Sequence, residues 1–369
     1  LTGRLLLRPG RAHPGTVERL GPRRAERLAV GRPADGAPAL LGALFTLCGH
    51  AHGLTARRAV EAARAAPGTV PPPPSAAEAR RLQLRTAQEQ LRRLLVDAPP
   101  ALGLEAAPPA LLRGCPLWQG IAGSDAALEA LPAALGAWLE RELLALPAAD
   151  WLAAWERGGA NWLSGWAARA CTPAARLLRR LRPSAEEVAV PHRALRLDAA
   201  DGSALSLSTR LAAEAPLQQA GAVPFATGPW CRAHGRDPGG TDNAWMLFAS
   251  RLSDLVRLAS PDGTGTGART LDCGAVATGE RTGLAWTETA RGLLVHRAVL
   301  AESGSVAAWR VAAPTDWNFD PQGPAAAALS ALPAAGAPGA VQALVLGLDP
   351  CLAWEALPCE SGAVEAAHA

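Results

Sequence analysis

Leu47-Cys48-Gly49-His50-Ala51-His52-Gly53-Leu54-Thr55-Ala56-Arg57-Arg58-Ala59-Val60-Glu61-Ala62-Ala63 sets a thiol and two imidazoles at the mouth of a helix-like run. A helix starting near Cys48 puts Cys48 and His52 on one face, a single turn apart; a later start leaves both in its N-terminal loop. Either arrangement suits a metal. A small buried thiol beside a capped helix is the alternative, because free cysteine is among the most buried residue types.

Around this stretch the chain runs to 369 residues, enough to bury a sizeable core, and it reads as one large unit over 1–369. Lysine and tyrosine are absent, Ile121 is the one isoleucine, and Ala, Arg, Leu and Pro crowd the sequence. Twelve Trp and many Leu still provide the apolar surface to fold. A net charge of +3 and the lack of a basic patch argue against nucleic acid as a partner. The longest uncharged run, residues 321–348, is broken by Pro and Gly, so no membrane span is expected. The seven scattered Cys do not form the dense pattern of a disulfide scaffold, which points to a reducing, cytoplasmic setting, and no signal peptide is visible in the residues given.

Periodicity predicts a mainly α fold with small antiparallel β-sheets, an α+β class. Leu5 to Leu7 reads as a strand, residues 16–28 as a short helix, and 39–48 as an apolar approach to the thiol. Pro71 to Pro74 forms a stiff spacer. Residues 76–96 place Leu84, Ala87, Leu91, Leu94 and Leu95 on one helical face, which is expected to pack on the Cys48 helix. Residues 99–124 read as irregular. Helices follow over 125–146 and 150–170, with Asp125 and Asp150 as N-caps and Pro132 as a break. Trp151, Trp155, Trp162 and Trp166 recur at helical spacing as core. Leu195 to Leu207 around Asp201-Gly202 reads as a hairpin, residues 244–259 as a helix, and 292–313 as a second hairpin around Glu302-Ser303-Gly304.

Near the C-terminus stands Leu348-Asp349-Pro350-Cys351-Leu352-Ala353-Trp354. Together with the opening stretch, it resembles the two metal-binding motifs of nickel-iron hydrogenase large subunits. His52-Gly53-Leu54 and Arg58-Ala59-Val60-Glu61 fix the alignment, so Cys48 takes the second cysteine of the first pair and Cys351 the first cysteine of the second. Phe45 and Trp354 stand where the other two cysteines would be, and Leu357 where the family's terminal histidine follows. Glu288 to His296 and Ala313 to Phe319 are similar to two further family stretches in the right order. Thr227-Gly228-Pro229-Trp230-Cys231-Arg232 is a weaker fifth, and the likeness covers roughly residues 40 to 355.

The resemblance implies a large-subunit-like fold and an iron pocket in which Arg291, Pro314 and Thr315 keep the positions that surround cyanide ligands in the enzymes, with His52 beside them. Iron(II) with two cyanides is already neutral, so two thiolates from Cys48 and Cys351 leave an anion that needs buried donors. A thiol beside Arg291 is expected to have a lowered pKa. Nickel needs four thiolates, which Phe45 and Trp354 deny it, so no nickel is expected.

This pattern resembles the hydrogenase accessory proteins of the HupK/HoxV type and implies a non-enzymatic maturation scaffold. Its transient cargo is Fe(CN)2CO, and its partners are the apo large subunit and iron-delivery proteins of the HypC/HypD type. A catalytic large-subunit relative, or a docking protein without iron, remains the alternative. With no cleavage histidine, the tail at 356–369 is expected to be retained. Cys115, Cys171 and Cys273 read as core or incidental thiols, and Cys231-x2-His234 as a spacing without a second metal pair. Cys359 reads as a spare ligand or disulfide partner, while His50 and His296 read as packed or hydrogen-bonded.

Overall fold

In chain order, β1 (Arg4–Leu7) and β2 (Val17–Leu20) precede the longer helices α1 (Ala37–Leu44), α2 (Gly49–Arg64), α3 (Ala76–Arg92), α4 (Asp125–Leu139), α5 (Ala148–Arg169) and α6 (Pro173–Ala185). Then come β3 (Ala189–Ala194), α7 (Ser203–Ala212), β4 (Phe225–Ala226), β5 (Gly240–Asn243) and α8 (Ala244–Leu258). A four-stranded antiparallel meander follows: β6 (Cys273–Gly279), β7 (Thr282–Thr289), β8 (Gly292–Leu300) and β9 (Val306–Ala312). The chain closes with α9 (Pro314–Asn318), α10 (Pro324–Ser330), α11 (Pro338–Leu348) and β10 (Ala353–Ala356). The structure is a computed structural model, and it describes residues 3–21, 25–45, 48–121, 125–233, 240–260, 271–334 and 338–358.

Local chemistry explains where the helices begin. Ser75 and Glu78 form a reciprocal capping box at α3, and Asn243 accepts from the Met246 amide at 2.9 Å to start α8. Most of the core gathers around α3, α5, α6, α8 and α11. Trp151 stacks on Trp155 at 5.9 Å and meets Trp162 and Trp166 edge-on, as expected of core aromatics. A separate layer packs α2 on the meander through small side chains, among them Ala59 and Ala62 against Ala285 and Ala298. At the start of α2 the contact with α1 is backbone to backbone: a Cβ on Gly49 would overlap the Gly42 carbonyl. This close approach fixes the end of α2 that carries Cys48. Finally, β10 pairs in parallel with β1, drawing the chain after Cys351 onto the first strand.

Several expectations change. Residues 17–20 form β2 rather than helix, because Val17 pairs with Leu7 across the first ladder and buries its side chain there. The expected hairpin at 195–207 is instead a strand at 189–194 followed by helix α7, with Ala204, Leu207 and Leu211 buried at helical spacing. Asp201 accepts from the Ser203 amide at 2.9 Å and starts that helix. Asp150 lies inside the first turn of α5, whose N-cap is Pro147, and Asp125 is the first residue of α4 rather than its cap. Pro132 sits inside α4 without ending it. Residues 109–113 and 117–120 are short helices within the stretch read as irregular. Helix α3 does pack on α2, through Leu82 beside Ala51 and Leu54 and the Arg57–Glu78 ion pair, but its larger contact is with α8.

Candidate functional site

Each site residue sits at the end of an element. Cys48 is the N-cap of α2 and is half-buried. Arg291 occupies the two-residue turn between β7 and β8. Pro314 and Thr315 open α9 and are buried. Asp349 follows α11 with φ 49, a left-handed conformation uncommon for a non-glycine residue, and Cys351 lies just beyond it, exposed.

Hydrogen bonds join these ends. The Thr315 hydroxyl accepts from the Cys351 amide at 3.0 Å and donates to Cys351 Sγ at 3.2 Å, so one hydroxyl fixes both the backbone and the thiol. Arg291 Nη1 pairs with Glu89 at 2.9 Å, and its Nε lies 3.3 Å from Asp349 Oδ2. Glu288, three residues before Arg291 in sequence, pairs instead with Arg196 at 3.2 Å. The turn itself is anchored from the 227–232 stretch. Thr227 accepts from the Leu293 amide at 2.6 Å, and Thr227 and Asn318 exchange bonds of 3.0 and 2.8 Å. Gly292, at φ 128 and close against Thr227, leaves no room there for a side chain. Three stretches far apart in sequence thus form one cradle.

Electrostatics define its character. Asp349 is surrounded by Arg93 at 3.1 Å, Arg251 at 3.3 Å and Arg291 at 3.3 Å. Burial pushes its carboxyl up, but Arg291, Arg251 and Arg93 together outweigh burial and hold it below the ordinary carboxylate range. Arg291 stays charged: burial disfavours its cation, and Asp349, Glu89, Cys48 and Cys351 more than restore it. Burial pushes Glu89 up to about 7, against the pull of Arg291.

The expected lowering of a thiol pKa beside Arg291 is not what the geometry gives for Cys48. Burial, followed by the charge of Glu89, pushes its thiol up to about 12, with Arg291 opposing and Cys351 adding to the rise. Cys48 and Cys351 thus lie within one electrostatic field, and in the metal-free protein Cys48 keeps its proton.

His52 is buried, and Phe45 stacks on its ring at 3.9 Å between centroids. The residue standing at the missing cysteine position therefore fills that position with an aromatic plane. Trp309 Nε1 donates to His296 Nδ1 at 3.3 Å, and His296 Nε2 lies 3.0 Å from His52 Nδ1. This order makes His296 Nε2 a donor and leaves Nε2 as the N–H of His52. Burial lowers His52 from 6.5 to about 3, and burial with His52 lowers His296 well below 6.5, so both imidazoles are neutral.

The sign follows. The unfolded chain takes up protons below 6.5 while these two rings do not, so their contribution is complete above that pH and is lost as pH falls, down to about 3 for His52. Glu89, raised in the fold, acts with the opposite sign, so the readout is a difference between proteins. Denaturant unfolding at pH 7.5 and 5.5 should show that His52→Gln loses roughly 1.4 kcal/mol less stability than the wild type over this interval. An unchanged difference would place a charged His52 in the fold.

Residues that the motifs did not reveal complete the site. Arg251, fully buried on α8, donates to Gln90 at 3.1 Å, to the Ala290 carbonyl at 3.2 Å and to the Gly347 carbonyl at 3.2 Å. It ties the turn before Arg291 to the end of α11. Arg232, which the 227–232 stretch did contain, holds the neighbouring Thr289 carbonyl at 2.9 Å. His50 is exposed, Cys115 and Cys273 are buried and Cys171 is exposed; His234 and Cys359 lie outside the described residues. Among the described residues, no group of three or more His, Cys, Asp or Glu is placed to hold a metal ion, and no helix is long and apolar enough to cross a membrane.

The Thr315–Cys351 and Arg291–Asp349 contacts thus gather separate segments into one charged site on a mainly helical frame, with Cys48 within its electrostatic field. No protein-family model matches the chain. It is 36% identical to the hydrogenase expression/formation protein HoxV of Cupriavidus necator, over 95% of this chain and 94% of that protein. It is 32% identical to the hydrogenase expression/formation protein HupK of Bradyrhizobium diazoefficiens, over 88% and 87%. A solved NAD+-reducing [NiFe]-hydrogenase chain aligns over 91% of each chain with 16% identity and a TM-score of 0.49. The chain belongs to the HoxV/HupK family of hydrogenase expression/formation proteins.

Proposed function

We propose that this protein serves nickel-iron hydrogenase maturation as a non-catalytic scaffold that takes Fe(CN)2CO from an iron-delivery protein of the HypC/HypD type, holds it and passes it to the apo large subunit. The observation that carries the reading is the Thr315 hydroxyl on Cys351 Sγ, beside an Arg291 fixed by Asp349 and sharing an electrostatic field with Cys48. The residues fit an anionic cargo. Three guanidiniums, Arg93, Arg251 and Arg291, face the two carboxylates Asp349 and Glu89. Arg291 Nε is buried without an aligned hydrogen bond.

In this mechanism the cargo's three diatomic ligands make up for the small ligand set of the protein. Cys48 gives up its proton only on ligation, because a metal supplies the charge that burial denies the free thiolate. Thr315 orients Cys351 for the same step, and Arg291 recognises the cyanide nitrogens. Two thiolates hold the complex less firmly than a completed four-thiolate centre, which favours onward transfer. Phe45 packed on His52, and Trp354 on an exposed strand, leave no second thiol pair for nickel.

Infrared spectra of protein freshly isolated from a hydrogenase-competent host should show CO and cyanide bands in a region where protein is transparent. Arg291→Leu should keep the fold and lose at least about tenfold of the band intensity, since a charge-assisted donor is replaced by an apolar wall. A wild-type protein without these bands that still supports hydrogenase formation would replace the reading with docking alone. The raised thiol of Cys48 is the observation that favours this second reading.

A further inference from the structure

Arg291 is held by two carboxylates that differ in how readily they can leave. Asp349 has a side chain only 4% exposed and shares it among three guanidiniums. Glu89 has a side chain 23% exposed, and Arg291 Nη1 is its ion-pair partner among the described residues. Asp349 is locked on a tight turn directly after α11, whereas Glu89 projects from the last turn of α3 on a longer side chain with more rotamers open to it. The two nitrogens of Arg291 are therefore unequal: the Nε edge belongs to the frame, and the Nη1 edge is covered by an anion that can swing away.

We propose that Glu89 is a displaceable counter-anion, which occupies the Arg291 guanidinium in the empty protein and yields it to an anionic ligand of the cargo. This rests on the reading of Arg291 as the residue that recognises the cyanides. Glu89 then sets how long cargo is held, because it competes for the same nitrogen and recaptures Arg291 as the complex departs. Burial working against the Arg291 pair on Glu89 is consistent with a carboxylate held loosely enough to exchange. Asp349 cannot take this part, since its departure would leave three guanidiniums facing one another without their shared anion.

The test uses the full-length protein in two arms. In the first, the iron-free protein is titrated with thiocyanate, a small linear anion, by calorimetry. Glu89→Gln should bind it about tenfold more tightly than the wild type, since the competing charge is gone while the shape is kept, and Arg291→Leu combined with Glu89→Gln should abolish the gain. Glu89→Gln binding no more tightly than the wild type, or a gain that survives Arg291→Leu, would overturn the proposal, as would thiocyanate binding to none of the proteins. In the second arm, protein from the hydrogenase-competent host is challenged with apo large subunit. Glu89→Gln should keep its CO and cyanide bands about tenfold longer, and equal or faster loss would likewise overturn the role. A wild type lacking the bands would count against the maturation scaffold, while the thiocyanate arm still decides the competition between Glu89 and a ligand anion.

Discussion

Cys48→Ala protein from a hydrogenase-competent host is expected to carry no CO or cyanide infrared bands while unfolding at nearly the wild-type denaturant concentration. The two halves of this expectation have separate causes. Cys48 is half-buried at the N-cap of α2, yet its side chain makes no capping hydrogen bond, so its removal should change stability by less than about 1 kcal/mol. As a ligand it has no substitute, because the described residues offer no third donor grouped with the two thiols. Cys351→Ala should weaken the bands severely as well, since the Thr315 hydroxyl would keep the residue-351 amide but have no thiol left to orient. Hydrogenase activity of the host should fall in parallel, with the large subunit's own sequence unchanged. Full bands and full maturation in Cys48→Ala would end the scaffold mechanism.

The parts of the site that were legible in the sequence are those carried by contiguous residues. Cys48 followed by His52, the 292–313 hairpin and the Asp349 to Cys351 run each announce themselves within one short contiguous stretch, and family resemblance put them in order. Helix α3 was equally readable, because its apolar face repeats over several turns and Ser75 and Glu78 cap it. Residues 203–212 were misread because Leu205 and Leu207 mimic a period of two, while burial follows Ala204, Leu207 and Leu211. Strands β6 and β7 gave no alternation to read: every residue of β7 is buried, so no polar face marks its period. Glu89, Arg93 and Arg251 were invisible as site residues for a different reason. They meet Arg291 and Asp349 only through the packing of α3, α8 and α11, and nothing local in sequence says which arginine of a helix turns inward. The Cys48 pKa was misjudged likewise, since proximity to Arg291 was inferable but the depth of burial was not.

Arg251→Met should unfold with a loss of roughly 3–5 kcal/mol, far more than any exposed ion pair in the molecule can contribute. Arg251 is fully buried, and burial lowers its pKa to about 10 even with Asp349 opposing, so the fold keeps a guanidinium where water cannot reach it. What offsets that cost is the set of acceptors it satisfies at once: Gln90, the Ala290 and Gly347 carbonyls, and Asp349. Methionine fills much of the volume but donates nothing. Ala290 would keep the Gln90 amide at 3.1 Å, whereas the Gly347 carbonyl would lose this donor, and Asp349 would keep two of its three cations. The loss therefore falls on the join between the turn carrying Arg291 and the helix end carrying Asp349 and Cys351. Arg4, whose pair with Glu355 lies exposed at 3.2 Å, provides the control, and Arg4→Met should cost no more than about 1 kcal/mol. Urea unfolding of the two variants checks the contrast. An Arg251→Met protein within about 1 kcal/mol of the wild type would mean that the two loops are held by packing alone, and that the buried cation is there for the charge of the site rather than for the fold.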